Sequence, residues 1–468
     1  MSWNNRLQRL LRSLLGGGAP ERRRIPDAFD YTSIWDAFEP VPAVEGGAPL
    51  ASAGMGGLGR EPDDQPAPAA AMPKIAMRRN AVFQAFNTAV PVSDRHGLAG
   101  RSKELARLVD AVVEQRKHSI IFGPRGSGKT SLARVFGDLA DEAGCVALYG
   151  SAGSNADLDS LFRPFLAEMP TVQGGGLAEQ AGSGPLDVQR LAALFAQAVS
   201  QRTLLILDEF DRVIGDRTKH EVAELLKLLS DMHAPVQIVL VGIAGNVDML
   251  IAAHPSLRRH LYAQPVTPIE REDLAALLRL CASQAGMPFE EDAIDVVASA
   301  AIGSPFHARL FGMHAALAAE VSGQDEVTFS NAKTGLAEAL SEWSDLTPDL
   351  QAVFYRALAE AGPERGMIGL AGVLAAQAPV LTFQRLAVAA GELFGPDLGN
   401  GAMVERTLSA IRPALTETGI PGEVQFEDSL SPQFLVLMAN GVMGRRGPSM
   451  GRNDTNAARE LLQGVLGR

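Results

Sequence analysis

Nine consecutive residues concentrate the chemistry open to this chain. Gly123-Pro124-Arg125-Gly126-Ser127-Gly128-Lys129-Thr130-Ser131 follow the apolar run Ile120-Ile121-Phe122 and precede Leu132-Ala133-Arg134-Val135-Phe136, whose spacing is helical. A strand, a G-x-x-x-x-G-K-T loop and a helix in that order make a phosphate cradle. The glycines let successive backbone N–H groups turn inward, and the helix N-terminus adds its positive dipole end. Lys129 is placed to reach the β- and γ-phosphates of a nucleoside triphosphate, and the Thr130 hydroxyl to join a Mg²⁺ shell.

A second constellation lies downstream. Thr203-Leu204-Leu205-Ile206-Leu207 is an unbroken apolar run, the pattern of a strand buried on both faces of a parallel sheet. Asp208 and Glu209 follow at its carboxyl end, where open α/β sheets place ligand chemistry. Asp208 is positioned to hold Mg²⁺, and Glu209 to orient or deprotonate an attacking water. Asp211 reads equally as a further acid of the site or as a solvated turn residue. Hydrolysis, and not binding alone, is the expectation.

These groups need a large scaffold, and the composition supplies one. The chain has 468 residues, 46% of them hydrophobic, which is room for two or three domains with proper cores. A formal charge of −12 disfavours non-specific binding to nucleic acid or bilayers by the molecule as a whole. Cys145 and Cys281 are the two cysteines, neither in a C-x-x-C pair, which suits buried thiols in a reducing, cytoplasmic setting. No secretory h-region opens the sequence. The uncharged stretch Gly366 to Gln384 is long enough to raise the membrane question. Its Pro379, Gln377 and glycines favour two buried helices joined by a turn.

The expected organisation has six parts. Residues 1–40 are an N-terminal arm in which Trp3, Leu7, Leu10, Leu11, Leu14 and Leu15 share a helical face away from Arg6, Arg9 and Arg12. Through residues 2–24 this arm suits an anionic membrane surface, a partner groove or its own domain, and the pattern does not choose among them. Residues 41–77 are a linker rich in Pro, Ala and Gly. An α/β nucleotide-binding domain spans 78–268, with a helix from Lys219 to Met232, a strand from Val236 to Val241, and the turn Gly242-Ile243-Ala244-Gly245-Asn246. A helical lid over 269–344 begins with the helix Arg271 to Ala285. Residues 345–442 show helical patterns at 349–361, 366–376, 382–394 and 403–418, a strand at 423–427 and a helix at 431–439. A flexible tail takes 443–468. Strands alternating with helices predict a doubly wound parallel sheet flanked by helices.

The order of the P-loop, the D-E-x-D strand Asp208-Glu209-Phe210-Asp211, the G-I-x-x-N strand ending in Asn246, and His254-Pro255-Ser256-Leu257-Arg258-Arg259 resembles the AAA+ ATPases close to the origin-recognition initiators. The module is shared with transposition- and secretion-linked ATPases and with STAND-like bacterial switches. The lead-in Val90-Pro91-Val92 with Gly100-Arg101, and the later Gly303-Ser304-Pro305-Phe306-His307-Ala308-Arg309, fit the same resemblance, which covers residues 85–320. It implies ATP and Mg²⁺ as cofactors and a homo-oligomer in the ATP-bound state. It makes Asn246 a first sensor of the γ-phosphate and Arg258 or Arg259 the arginine finger supplied in trans. The second-sensor arginine position holds Phe306, leaving His307 and Arg309 as the nearest candidates, with Arg309, one helical turn on, placed to touch nucleotide. That departure is compatible with slow turnover and a switch rather than a motor.

The resemblance also implies a winged helix over 345–442. From 345 to 440 it carries five arginines against eleven acidic residues and no lysine, whereas a phosphate-tracking surface needs clustered cations. A protein partner is therefore the expected ligand of this region. Three rivals remain: a DNA-loading initiator- or transposition-type ATPase, a STAND-like scaffold with negligible turnover, and a secretion or envelope ATPase tethered to a membrane by the arm.

Overall fold

The computed structural model describes residues 74–89, 98–169, 176–198, 201–242, 255–361, 365–378, 380–395, 399–418 and 420–442. Helix α1 (Lys74–Ala85) opens this region, and α2 (Ser102–Leu108) runs into a π-helical turn, Val109–Glu114. The α/β part continues as β1 (His118–Phe122), α3 (Lys129–Glu142), β2 (Val146–Ser151), α4 (Leu158–Glu168), α5 (Leu177–Ala181), α6 (Val188–Ala198), β3 (Thr203–Asp208), α7 (Asp216–Asp231), β4 (Val236–Gly242) and β5 (Leu261–Pro265).

All five strands are parallel, in the order β2-β3-β4-β1-β5. The apolar runs make this possible, because alternate residues supply cores on opposite faces. Ile120, Leu205, Leu207, Ile238 and Leu240 pack into one core with α4, α6 and α7. Ile121, Leu204, Ile206, Val239 and Val241 pack into the other with α2 and α3. The fold is the expected P-loop sheet sandwiched between helices. Because every strand points the same way, the loops after β1 and β3 open at one edge, with β4 between them.

The remainder is mostly helical: α8 (Arg271–Ala285), α9 (Glu291–Ala301), α10 (Pro305–Val321), α11 (Phe329–Leu346), α12 (Pro348–Glu360) and α13 (Arg365–Gln377). Then come β6 (Leu381–Thr382), α14 (Phe383–Phe394), α15 (Gly401–Ile411), β7 (Leu415–Glu417), β8 (Glu423–Phe426) and α16 (Ser431–Ala439). A strand, two helices and an antiparallel hairpin, with sheet order β6-β8-β7, give the winged-helix order after α13.

One helical pattern resolves differently from the sequence reading, while the uncharged stretch 366–384 becomes two helices joined by a short connection, as expected. The helical pattern 403–418 ends at Ile411, because Pro413 cannot continue a helix, and residues 415–417 pair with β8 instead. The helix leading into the hairpin is α15, and it carries only one arginine and one glutamate, Arg406 and Glu405. The uncharged stretch 366–384 divides into α13, the short strand β6 and the start of α14. Among the described residues no helix is long and apolar enough to cross a membrane.

Packing joins what the pattern divides. One continuous core includes Val82 and Phe86 at the end of α1, Leu278 and Phe311 of the lid, and Phe354, Phe426 and Phe434 beyond residue 345. Lid and C-terminal region are therefore held to each other by shared apolar burial, and α1 packs with the lid.

Candidate functional site

The loop after β1 is shaped by three glycines for two reasons. Gly126 and Gly128 have φ of 74° and 88°, a region costly for any residue with a Cβ. Gly123 instead allows close approach, since a Cβ there would come within 2.4 Å of the Val266 carbonyl oxygen just past β5. The Pro124 carbonyl accepts from Ser127 Oγ (2.8 Å) and from Lys129 Nζ (2.9 Å), so the lysine is folded back along its own loop. Burial pushes the Lys129 ammonium below its usual range, and nearby Asp211 and Asp208 work against that shift.

Loop carbonyls must turn outward if the N–H groups are to turn in, and a side chain not singled out from the sequence receives one of them. Arg101 is buried, donates to Ser127 O (3.1 Å) and Thr267 O (2.5 Å), and pairs with Glu104 (2.8 Å). It ties the cradle to the segment after β5. The Gly100-Arg101 pair was visible in the sequence, but its partners lie 26 and 166 residues away.

At the end of β3 the Asp208 carboxylate accepts the Glu209 N–H (2.8 Å), and Glu209 adopts a left-handed backbone, φ 55°. The Glu209 carboxylate accepts from Arg212 Nη1 and from Ser151 Oγ, at 2.8 and 2.9 Å. Arg212 first, and Ser151 second, hold Glu209 below the usual carboxylate range. Ser151 is available because β2 and β3 pair with Ser151 opposite Asp208; no sequence pattern announces it.

Across the cavity stands the first turn of α10. Ser304 caps it, Pro305 starts it, and Ser304 Oγ lies 3.3 Å from the Gly126 carbonyl. Arg309 lines the cavity and donates to the Ala85 carbonyl at the end of α1 (3.0 Å), just before Asn87, Thr88 and Ala89, which also line it. His307 does not enter the cavity; it is fully buried and bonded to Ser304 Oγ and to the Leu430 carbonyl. Leu430, from the C-terminal region, lines the same cavity.

The cavity has a volume of about 650 Å³. It gathers Arg125, Gly126 and the run from Ser127 to Ser131, including Thr130, with Asp208, Glu209 and Asp211. Gly123 and Pro124 support the loop from behind. Arg258 and Arg259 are exposed on the 3₁₀ turn Pro255–Arg259, before β5, at the opposite edge of the sheet. A five-residue strand, about 16 Å at ~3.3 Å per residue, separates them from the level of the cradle. Asn246, the Val90-Pro91-Val92 lead-in, the N-terminal arm and the tail lie outside the described residues.

Comparison with known proteins finds a family match over the α/β part of the chain. The family described as AAA domain matches residues 112–250. The large subunit of replication factor C from Methanococcus maripaludis (strain C5) is similar over 208 residues, 26% identical, covering 43% of this chain and 36% of that protein. The Methanococcus vannielii large subunit is 25% identical over 213 residues, 44% of this chain and 36% of that one. The chain thus spans little more than a third of the length of these relatives. Among solved structures, Cdc6p from Pyrobaculum aerophilum aligns at 15% identity and TM-score 0.42 over 76% of this chain and 97% of that one. The Aeropyrum pernix Orc1 protein in complex with DNA aligns at 16% and 0.41, over 77% and 96%. Likenesses this distant carry no argument about function.

Proposed function

With residues 112–250 an AAA domain, we propose that the protein is a cytoplasmic ATPase that binds ATP·Mg²⁺ between its α/β core and its helical lid, hydrolyses it slowly as an oligomer, and uses nucleotide state to control docking of a protein partner. The observation that carries this reading is the cradle itself. Two positive-φ glycines, a helix N-terminus and Lys129 converge on a cavity that also receives the β3 carboxylates.

The residues present fit the nucleotide and the metal. The open backbone at Gly126 and Gly128 leaves room where side chains would crowd a phosphate, and Lys129 would exchange its Pro124 contact for phosphate oxygens. Thr130 and Asp208 would hold Mg²⁺, which takes few protein ligands and keeps phosphate and water oxygens. Bound there, Mg²⁺ supplies charge neutralisation along the phosphates. Glu209 would orient and deprotonate water once released from Ser151 and Arg212, since a carboxylate held by an arginine is a poor base. Asn246 would help place that water. Arg258 or Arg259, too far to serve their own cavity, would complete a neighbour's.

A nucleotide-locked scaffold is the second reading, favoured by the pairing of Glu209 with Arg212 and Ser151. DNA loading is disfavoured by the acidic C-terminal region. ATP turnover against protein concentration tests the choice. Turnover per chain that rises with concentration supports an oligomeric ATPase. Tight ATP binding with no turnover at any concentration would sink it in favour of the scaffold.

A further inference from the structure

The contact between Leu430 and the phosphate loop links two parts of the chain that the AAA domain does not itself join. Leu430 precedes α16, yet its side chain reaches the cradle: a Cβ on Gly126 would come within 3.2 Å of Leu430 Cδ2 and 3.1 Å of Ser304 Oγ. Behind that contact runs a chain of hydrogen bonds. Ser304 Oγ is 3.3 Å from Gly126 O and 2.9 Å from His307 Nδ1, and His307 Nε2 is 3.1 Å from Leu430 O.

The chemistry of this chain is constrained. A carbonyl only accepts, so His307 presents N–H at Nε2 to Leu430 and a bare lone pair at Nδ1. Burial keeps the ring neutral, pushing its pKa down to about 3. The one hydroxyl proton of Ser304 therefore has two acceptors within reach, His307 Nδ1 and Gly126 O, and can satisfy only one. Which one receives it depends on where the phosphate loop holds its Gly126 carbonyl.

The far end is equally well defined. Leu430 N donates to Asp428 Oδ1 (3.0 Å), and Trp343 Nε1 to Asp428 Oδ2 (3.3 Å). Trp343 stacks on Phe434, with centroids 4.8 Å apart and planes 9° apart. Phe434 sets its edge against His307 at 5.6 Å, which closes the circuit. Trp343 and Phe434 belong to the shared core, and His307 and Asp428 each contact one of them, which ties the Leu430 loop to the stack.

We infer that the Leu430 loop forms one wall of the triphosphate site, and that the Ser304–His307–Leu430 chain transmits phosphate occupancy of the loop at Gly126 to the C-terminal winged-helix region. The inference rests on the nucleotide reading above and adds the element that would couple it to a partner. Coupling of this kind is reciprocal: a partner that displaces the C-terminal region changes ATP affinity by the factor with which ATP changes the partner's.

Trp343 reports on the chain directly. In the 468-residue chain carrying Trp3→Phe and Trp35→Phe it is the remaining tryptophan. Equilibrium dialysis with ATP and Mg²⁺ measures binding, while Trp343 emission measures the response of the far end. ATP should change the emission in this background. Leu430→Ala, a half-buried loop position, and Ser304→Ala should weaken ATP binding about fivefold or more and, at saturating ATP, lose most of the emission change. ATP binding that leaves Trp343 unchanged, or that changes it equally in both variants, overturns the coupling and leaves nucleotide binding intact. Absence of binding in the dialysis itself overturns the nucleotide reading and the coupling with it.

Discussion

The segments 123–131 and 304–309 face each other across one cavity and are built in opposite ways. The first works through its backbone: positive-φ glycines, outward carbonyls held by Arg101 and Ser127, and the start of α3. The second works through side chains whose obligations lie elsewhere, Ser304 to the phosphate loop, His307 to Leu430 and Arg309 to the end of α1. A site made of backbone geometry can be encoded in a few adjacent residues. A site wall made by side chains that reach other elements depends on how those elements pack.

The comparison breaks most sharply at Lys129. Lys129→Ala should lower ATP turnover about 100- to 1,000-fold or more, the loss expected for one preorganised charge at a transition state, and leave the thermal midpoint nearly unchanged. If phosphate release persists near the wild-type rate, the backbone cradle is not where catalysis occurs. Glu209→Gln comes next. It should cost about 100-fold in turnover, with ATP binding preserved in a filter or dialysis assay.

Buried histidines give a third test, this time of stability. His118 and His307 are held neutral by burial, at about 4 and about 3 against an ordinary 6.5. Below pH 6.5 the unfolded chain takes up a proton at each, and the folded chain does not. Their contribution is full above that pH and is lost as pH falls toward 4, by at most about 1.4 kcal/mol per pH unit for each. Denaturant midpoints measured from pH 7 to 4.5 should fall, and His307→Gln should flatten the slope; a flat wild-type profile would contradict the burial of both rings.

Gly126→Ala should be milder, about 1–2 kcal/mol of strain from its positive φ, read as weaker ATP binding rather than unfolding. The smallest effect is expected at Arg212. Removing the guanidinium that depresses Glu209 should move the acid limb of the turnover profile to higher pH, because the carboxylate then protonates sooner. Movement in the opposite direction would mean that another group sets that limb.

The parts of the fold legible in the sequence were those repeated along it. Apolar strands, alternating helices and the acids after β3 could be read because each is a contiguous pattern whose burial follows from periodicity. Pro413 and the strand it forces were legible in principle, yet the helical spacing of 403–418 masked them. Ser151 and Arg212 carried no signal, and the Gly100-Arg101 pair gave a place but no partner, because a serine at a strand end or an arginine in a turn has no pattern until register and packing supply one.

By itself, then, the order of residues determined a parallel P-loop sheet, the place of the phosphate cradle and the position of two carboxylates at the same sheet edge, since strand direction and loop chemistry are local properties. Tertiary structure alone decided that Leu430 lines the cavity, that His307 stays out of it and that Arg309 is tied to Ala85. Those contacts join residues 123 and 224 positions apart, and they exist because one apolar core draws α1, the lid and the C-terminal helices together.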